Sequence, residues 1–245
     1  MCCCAAVVDD DPCVLDGVRP FLAELRSPVG LTAASVADPR RGAIEAFVYE
    51  VFARAYGADV QAFYPNLLGF HTDGAMRAAV GYRDGTERPL FSEHYLNRPA
   101  HEVIGGQLDR AVRPAELVEV GNLALASAGD ARWVIAAVTV LLHRQGYRWV
   151  LFTAVRPLVN AFRRLGLNPI RLAEADPARL PDGGERWGRY YDTRPVVCAG
   201  NIETGYRKLR RHVSVQQPAL YALLNNAARQ GVLAHDVPRP AYGRA

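Results

Sequence analysis

Between Leu117 and Val138 the chain reads LVEVGNLALASAGDARWVIAAV: an apolar strand with one acid, then a small-residue loop into a helix. Glu119 is the residue there best suited to chemistry. A carboxylate against apolar neighbours has its pKa raised and can act as general base for an incoming amine or ammonium. On a regular strand Glu119, Gly121 and Leu123 share one face and Asn122 points to the other. A bulge at Gly121 would shift the alternation and turn Glu119 and Asn122 toward one side. The competing reading is a structural ion pair, because all 29 basic residues except Lys208 are arginine. The following loop, Ala126-Ser127-Ala128-Gly129-Asp130-Ala131, opens a helix whose first N–H groups are unpaired and partly positive, which suits a phosphate. Asp130 beside a diphosphate is unfavourable unless its carboxylate turns inward as a cap, and Arg132 would offset it.

These groups need a frame, and the pattern supplies one. Ile44, Phe47, Val48, Val51, Phe52 and Ala55 mark one face of an amphipathic helix that stops at Gly57, after a short strand near residues 32–36. NLLGFHTDGAMRAAVGY reads as a hairpin turning at Thr-Asp-Gly, and residues 87–115 read as irregular helix broken at Pro89, Pro99 and Pro114. Strand, helix, strand, helix and strand follow: 117–125, then 130–145 capped by Asp130, then WVLFTAV at 149–155, PLVNAFRRLG and PIRLAEA. On the first of those helices Arg132, Thr139 and His143 form one narrow polar stripe, so most of it is buried. Alternation of this kind predicts parallel pairing through right-handed crossovers. RPVVCAGNI reads as an edge strand, followed by a helix near 217–230.

Composition narrows the function classes. The 245 residues carry a net charge of +4, and the arginines are scattered apart from YRKLRRH at 206–212, so no nucleic-acid face is expected. No window approaches the roughly 20 apolar residues of a membrane span, so no stable membrane insertion is expected. MCCCAAVVDDDPCV lacks a basic n-region and is a poor signal peptide, which with reduced cysteines predicts a cytoplasmic protein. Cys2, Cys3 and Cys4 are adjacent and form no metal pattern; they read as a loose end or, alternatively, as lipidation sites.

VEVGNLA (118–124), WVLFTAVRPLVNAFRRLGL (149–167), ADPARL (175–180), WGRYY (187–191) and PLFSEHYL (89–96) resemble the thermostable hemolysin family, over roughly residues 40–203. The order of elements is similar to that of the GNAT superfamily of N-acyltransferases and of the acyl-homoserine-lactone synthases. The family name reports a phenotype, whereas the fold resemblance points to a reaction. It implies an α/β fold with a GNAT-like mixed central sheet, antiparallel in its N-terminal strands and parallel at its centre, flanked by helices. Residues 1–28 are then a lead-in, 29–203 the acyltransferase-like domain and 204–245 a helical extension.

The resemblance implies an acyl thioester, on coenzyme A or an acyl carrier protein, lying in a cleft between strands 117–125 and 149–155. Its phosphates would meet Ser127, Gly129, Asp130, Ala131 and Arg132, with Asn160 nearby. The N–H groups of Ala124 or Leu125 would stabilise the oxyanion, and Glu119 with Asn122 would position the nucleophile of a small amine-bearing acceptor. S-adenosylmethionine enters by the same analogy, and no tightly bound cofactor or metal is expected. The superfamily's loop begins with Arg or Gln, absent here, which favours a carrier-protein donor. Its usual tyrosine acid is replaced by Phe162, leaving Tyr190 or Tyr191 for that role, or none. Glu93 and His94 are within range of the cleft, Cys198 reads as core, and WGRYY is either a substrate wall or corner packing. A membrane-active lysin and a degenerate acyltransferase fold used for binding are the alternatives.

Overall fold

The computed structural model describes residues 6–7, 25, 27–87, 89–212 and 217–235. The cysteine triplet, most of the lead-in and the last ten residues lie outside them. In chain order the elements are β1 (Ala6–Val7), β2 (Gly30–Ala34), α1 (Arg41–Tyr56), β3 (Asn66–Thr72), β4 (Ala75–Asp84), α2 (Ala100–Leu108), β5 (Leu117–Leu125), α3 (Ala131–Arg144), β6 (Trp149–Ala154), α4 (Arg156–Arg164), β7 (Ile170–Glu174), β8 (Val196–Asn201), α5 (Ile202–His212) and α6 (Pro218–His235). Short 3-10 turns at Phe91–Tyr95, Pro114–Glu116 and Ala128–Asp130 join several of them.

One mixed sheet runs β2-β3-β4-β5-β6-β8-β7, with β1 attached to β5. Its antiparallel start and parallel centre (β5 with β6) are as the sequence implied. The hairpin turns at Asp73 and Gly74, with φ of 52° and 80°, the left-handed pair that matches the twist of two-residue hairpins. The expected edge strand is a correction. β8 lies inside the sheet, antiparallel to both β6 and β7, and β7 forms the edge. Burial explains the exchange: Val197, Cys198 and Ala199 are all buried, whereas no residue of β7 is.

Helix α1 covers one face, with Ile44 packed over Gly69 of β3. Helix α3 covers the other, where Trp133 meets Phe70 edge-on and ten of its 14 residues are buried. Arg132, Thr139 and His143 are its half-buried stripe, as the spacing predicted. His143 turns that stripe into an anchor: Nε2 lies 2.7 Å from Glu203 Oε2 and the ring stacks on Tyr206 at 3.8 Å, fastening α5 to α3. That bond, before any other influence, holds the Glu203 carboxyl below its ordinary range. The prolines punctuate residues 89–116 as expected, Pro99 preceding α2 and Pro114 opening a 3-10 turn. Gly188 has φ 52° and sits where a Cβ would fall 2.2 Å from Tyr56 O, so only glycine lets WGRYY close onto the end of α1.

Candidate active site

The central sheet opens. The register of β5 with β6 runs from Leu117↔Trp149 to Val120↔Phe152 and ends there, although β5 continues to Leu125 and β6 to Ala154. The cause is a bulge. Between the pairs Gly81↔Gly121 and Ala79↔Ala124, β5 spends one more residue than β4. Asn122 takes the extra step at φ 49°, a left-handed conformation that asparagine tolerates better than most residues. Beyond the bulge, on the α3 face, a narrow apolar cavity of about 60 Å³ opens among Val120, Leu123, Val138, Phe152, Leu158 and Phe162. Phe152 and Phe162 stack along its wall with ring centroids 4.8 Å apart.

Glu119 is on the opposite, α1 face, and it is fully buried. Its surroundings are not the apolar wall that the sequence suggested. Oε2 accepts from Arg83 Nε at 2.8 Å and from the Phe91 N–H at 2.9 Å, and Oε1 accepts from the Ser92 N–H at 2.6 Å. The carboxylate therefore caps the 3-10 turn Phe91–Tyr95 while neutralising a guanidinium across the β4–β5 pair. Its two oxygens thus serve three donors, with most of their acceptor capacity used, which is a structural role beside the general-base role expected from the sequence.

The bulge does bring Asn122 to the same side. Its Oδ1 accepts from the Tyr64 N–H at 2.9 Å and its Nδ2 donates to Ala62 O at 3.4 Å, while Arg83 lies over the Tyr64 ring at 5.0 Å. Asn122 is buried and fastens the 58–65 segment to β5 through these two bonds. Tyr191 joins the same layer through the 3-10 turn: its hydroxyl meets that of Tyr95 at 2.5 Å, within an aromatic cluster of Phe91, Trp187 and Tyr190. Thr153 lines the apolar cavity and also meets Ser92, Oγ to Oγ1 at 3.4 Å, so it stands where the two faces of the sheet communicate.

The loop at the mouth differs from expectation in two ways. Asp130 does turn inward, yet its side chain caps nothing; it takes Arg77 in a two-toothed grip (2.9 and 3.2 Å) and the Trp133 indole N–H at 3.0 Å. Arg77, from the hairpin, offsets the Asp130 charge. Ser127 and Gly129 are exposed, and the N–H groups of Gly129, Asp130 and Ala131 turn back onto Ser127 and Ala128, closing a 3-10 turn before α3 begins at Ala131. Ala124 and Leu125 are paired in parallel with Ala6 and Val7 on the edge that faces β6, since β4 occupies their other edge. Both residues therefore have a strand on each edge, β4 on one side and the chain's own β1 on the other. Asn160 is exposed on the far side of α4, away from the cavity.

Arg83, Tyr64, Ser92, Thr153, Tyr95 and Arg77 were not singled out by sequence. Only Arg83 and Arg77 left a signal, as the arginines at i and i+6 on the hairpin strand that faces the acid-bearing one. Burial pushes the Cys198 thiol up to about 11, with Arg171 and Arg163 pulling weakly the other way. In the native protein at pH 8, iodoacetamide should leave Cys198 unlabelled until denaturant is added, since only about one thiol in a thousand is then thiolate. Peptide mapping by mass spectrometry reads this; labelling of Cys198 at the rate of a free thiol would contradict its burial.

The thermostable hemolysin family profile matches residues 34–206. The chain belongs to the thermostable hemolysin family. No curated protein sequence matches it significantly. Among solved structures this thermostable hemolysin family member is similar to the acyl-homoserine-lactone synthase LasI (15% identity, TM-score 0.51, 80% of this chain and 95% of that one). TofI, solved in a ternary complex with an inhibitor and MTA, matches at 19% identity and TM-score 0.51, over 75% and 96%. BjaI, a coenzyme A-dependent acyl-homoserine-lactone synthase solved with SAM and isopentyl-CoA, matches at 13% identity and TM-score 0.51, over 81% and 98%. At such identities the likeness is one of fold, and the fold is that of the lactone synthases. Among the described residues no helix is long and apolar enough to cross a membrane, and no cluster of His, Cys, Asp or Glu could hold a metal.

Proposed function

We propose that the protein is an acyltransferase that moves an acyl group from a thioester donor, acyl-coenzyme A or acyl carrier protein, to a small amine-bearing acceptor. The observation that carries this reading is the parting of β5 from β6 beyond Val120 and Phe152, a gap bounded further along by β1 at Ala124 and Leu125, with an apolar cavity on one face and a polar, aromatic layer on the other. An acyl chain suits the first environment and an amine the second, so the carbonyl of the thioester would lie at the opening beside Thr153. The amine nitrogen attacks that carbonyl, the C–S bond breaks, and the thiol leaves with the proton that the amine gives up. Glu119 acts as a positioning residue that fixes Arg83 and the Ser92 turn. BjaI, similar in fold, was solved with SAM and isopentyl-CoA, which is the reason to include S-adenosylmethionine in a panel of acceptors.

A binding module built on a degenerate acyltransferase fold is the second reading, favoured by two observations: Glu119 is tied to three donors, and Phe162 stands where the superfamily carries an acid. Thiol release separates the two. Purified protein with acyl-coenzyme A or acyl carrier protein thioesters and an amine panel including S-adenosylmethionine should release thiol in step with an acylated product. Saturable thioester binding with no turnover across the panel would establish the binding module instead.

A further inference from the structure

Helix α4 has two characters. Leu158 and Phe162 face the apolar cavity, while Arg156, Val159, Asn160 and Arg163, spaced i, i+3, i+4 and i+7, form the opposite stripe. That second stripe borders a separate hollow of about 390 Å³, completed by Asn168 and Arg171 and by Arg194 from the corner before β8, over a floor of Ala154, Val196 and Cys198. Four guanidiniums and two carboxamides thus ring one concavity. Only Arg171 has an acid, Glu174 at 2.6 Å, and that pair is exposed; among the described residues Arg156, Arg163 and Arg194 make no ion pair. Like charges gathered in a hollow repel one another, and an anion relieves the repulsion. Arg156 moreover opens α4, where the helix end is itself positive.

Arg194 adds a second line of argument. It sits at φ 51° and ψ 62°, a left-handed conformation unfavourable for a long side chain, directly before Pro195. Glycine would hold that corner without strain. Convergence is also legible at the floor, where Arg163 and Arg171 are both close enough to Cys198 to act on its thiol. Guanidinium forks and amide N–H groups match the oxygens of a phosphate.

We propose that the hollow between α4, β7 and the Arg194 corner is a binding site for a phosphate-bearing small molecule. The assignment goes beyond acyl transfer and does not need it. Two sources share the chemistry, the phosphorylated end of a coenzyme A donor and a separate phosphorylated metabolite. Titration calorimetry with inorganic phosphate, 3′,5′-ADP, coenzyme A and dephospho-coenzyme A distinguishes them. Binding that prefers coenzyme A over dephospho-coenzyme A at least about tenfold supports the site and assigns it to the donor. Binding of phosphate or 3′,5′-ADP without that preference supports the site and assigns it to a separate ligand. In either case Arg163→Gln should weaken binding about 10- to 100-fold, the loss of one charge-assisted contact. Arg194→Gly should do the same while leaving the thermal midpoint unchanged or raised, because glycine suits that φ. Failure of all four probes to bind, or binding indifferent to both substitutions, overturns the proposal. Thiol release from a phosphate-free acyl-pantetheine, measured alongside, reports on acyl transfer alone, so either idea can fail without the other.

Discussion

Glu119→Gln is expected to destabilise the protein by about 3–5 kcal/mol, the range for removing one partner from a buried ion pair. The carboxylate is fully buried and serves three donors at once: the Arg83 guanidinium and the N–H groups of Phe91 and Ser92. Glutamine keeps one oxygen and turns an amide NH₂ toward donors, leaving the part-buried Arg83 without this carboxylate and the 3-10 turn without its cap. Urea unfolding measures the loss. A double variant with Arg83→Met should recover part of it, because the uncompensated guanidinium is then gone as well. Any acyl transfer should fall with the folded fraction, and fall again where Ser92 and Thr153 lose their alignment. A Gln variant that keeps its urea midpoint yet loses turnover would restore the acid to the chemistry.

That outcome turns on a feature half visible in the sequence. The single acid in an apolar strand, next to Gly121 and Asn122, announced a bulge, and the bulge is there. The identity of the partner was hidden, because nothing local says that Arg83 lies directly opposite Glu119 in the β4–β5 register. Periodicity fixes which residues share a face; pairing between strands 36 positions apart depends on the whole sheet. The same limit misplaced β8. Alternating strands and helices suggested a parallel series, yet the strand after WGRYY returns antiparallel between β6 and β7. Asp130 is a third case. Its position before α3 fits a cap, but a bidentate arginine and an indole N–H offer it more than one backbone amide. The helices, by contrast, were legible from spacing alone, since the apolar stripe on α1 and the buried bulk of α3 need no knowledge of distant partners.

The apolar cavity makes the other large prediction, because its walls set how long an acyl chain the opening accepts. Val138 of α3 lines the same space of about 60 Å³ as Phe152 and Phe162. Val138→Phe should fill that space, at little cost to folding because a void is being occupied. The donor KM for medium and long acyl chains should then rise at least about tenfold, the worth of roughly two buried methylenes, while acetyl transfer persists. Leu158→Ala works in the other direction: it should cost about 2–4 kcal/mol of stability and move the preferred chain upward by one or two methylenes. The pair of variants is informative because a general disturbance of the fold would depress all donors together, whereas a chain pocket shifts the profile in opposite senses. A chain-length series of acyl thioesters assayed on both proteins, with unfolding curves beside it, decides the matter. An unchanged profile in both would move the acyl group out of this cavity and leave the opening of the sheet without its substrate.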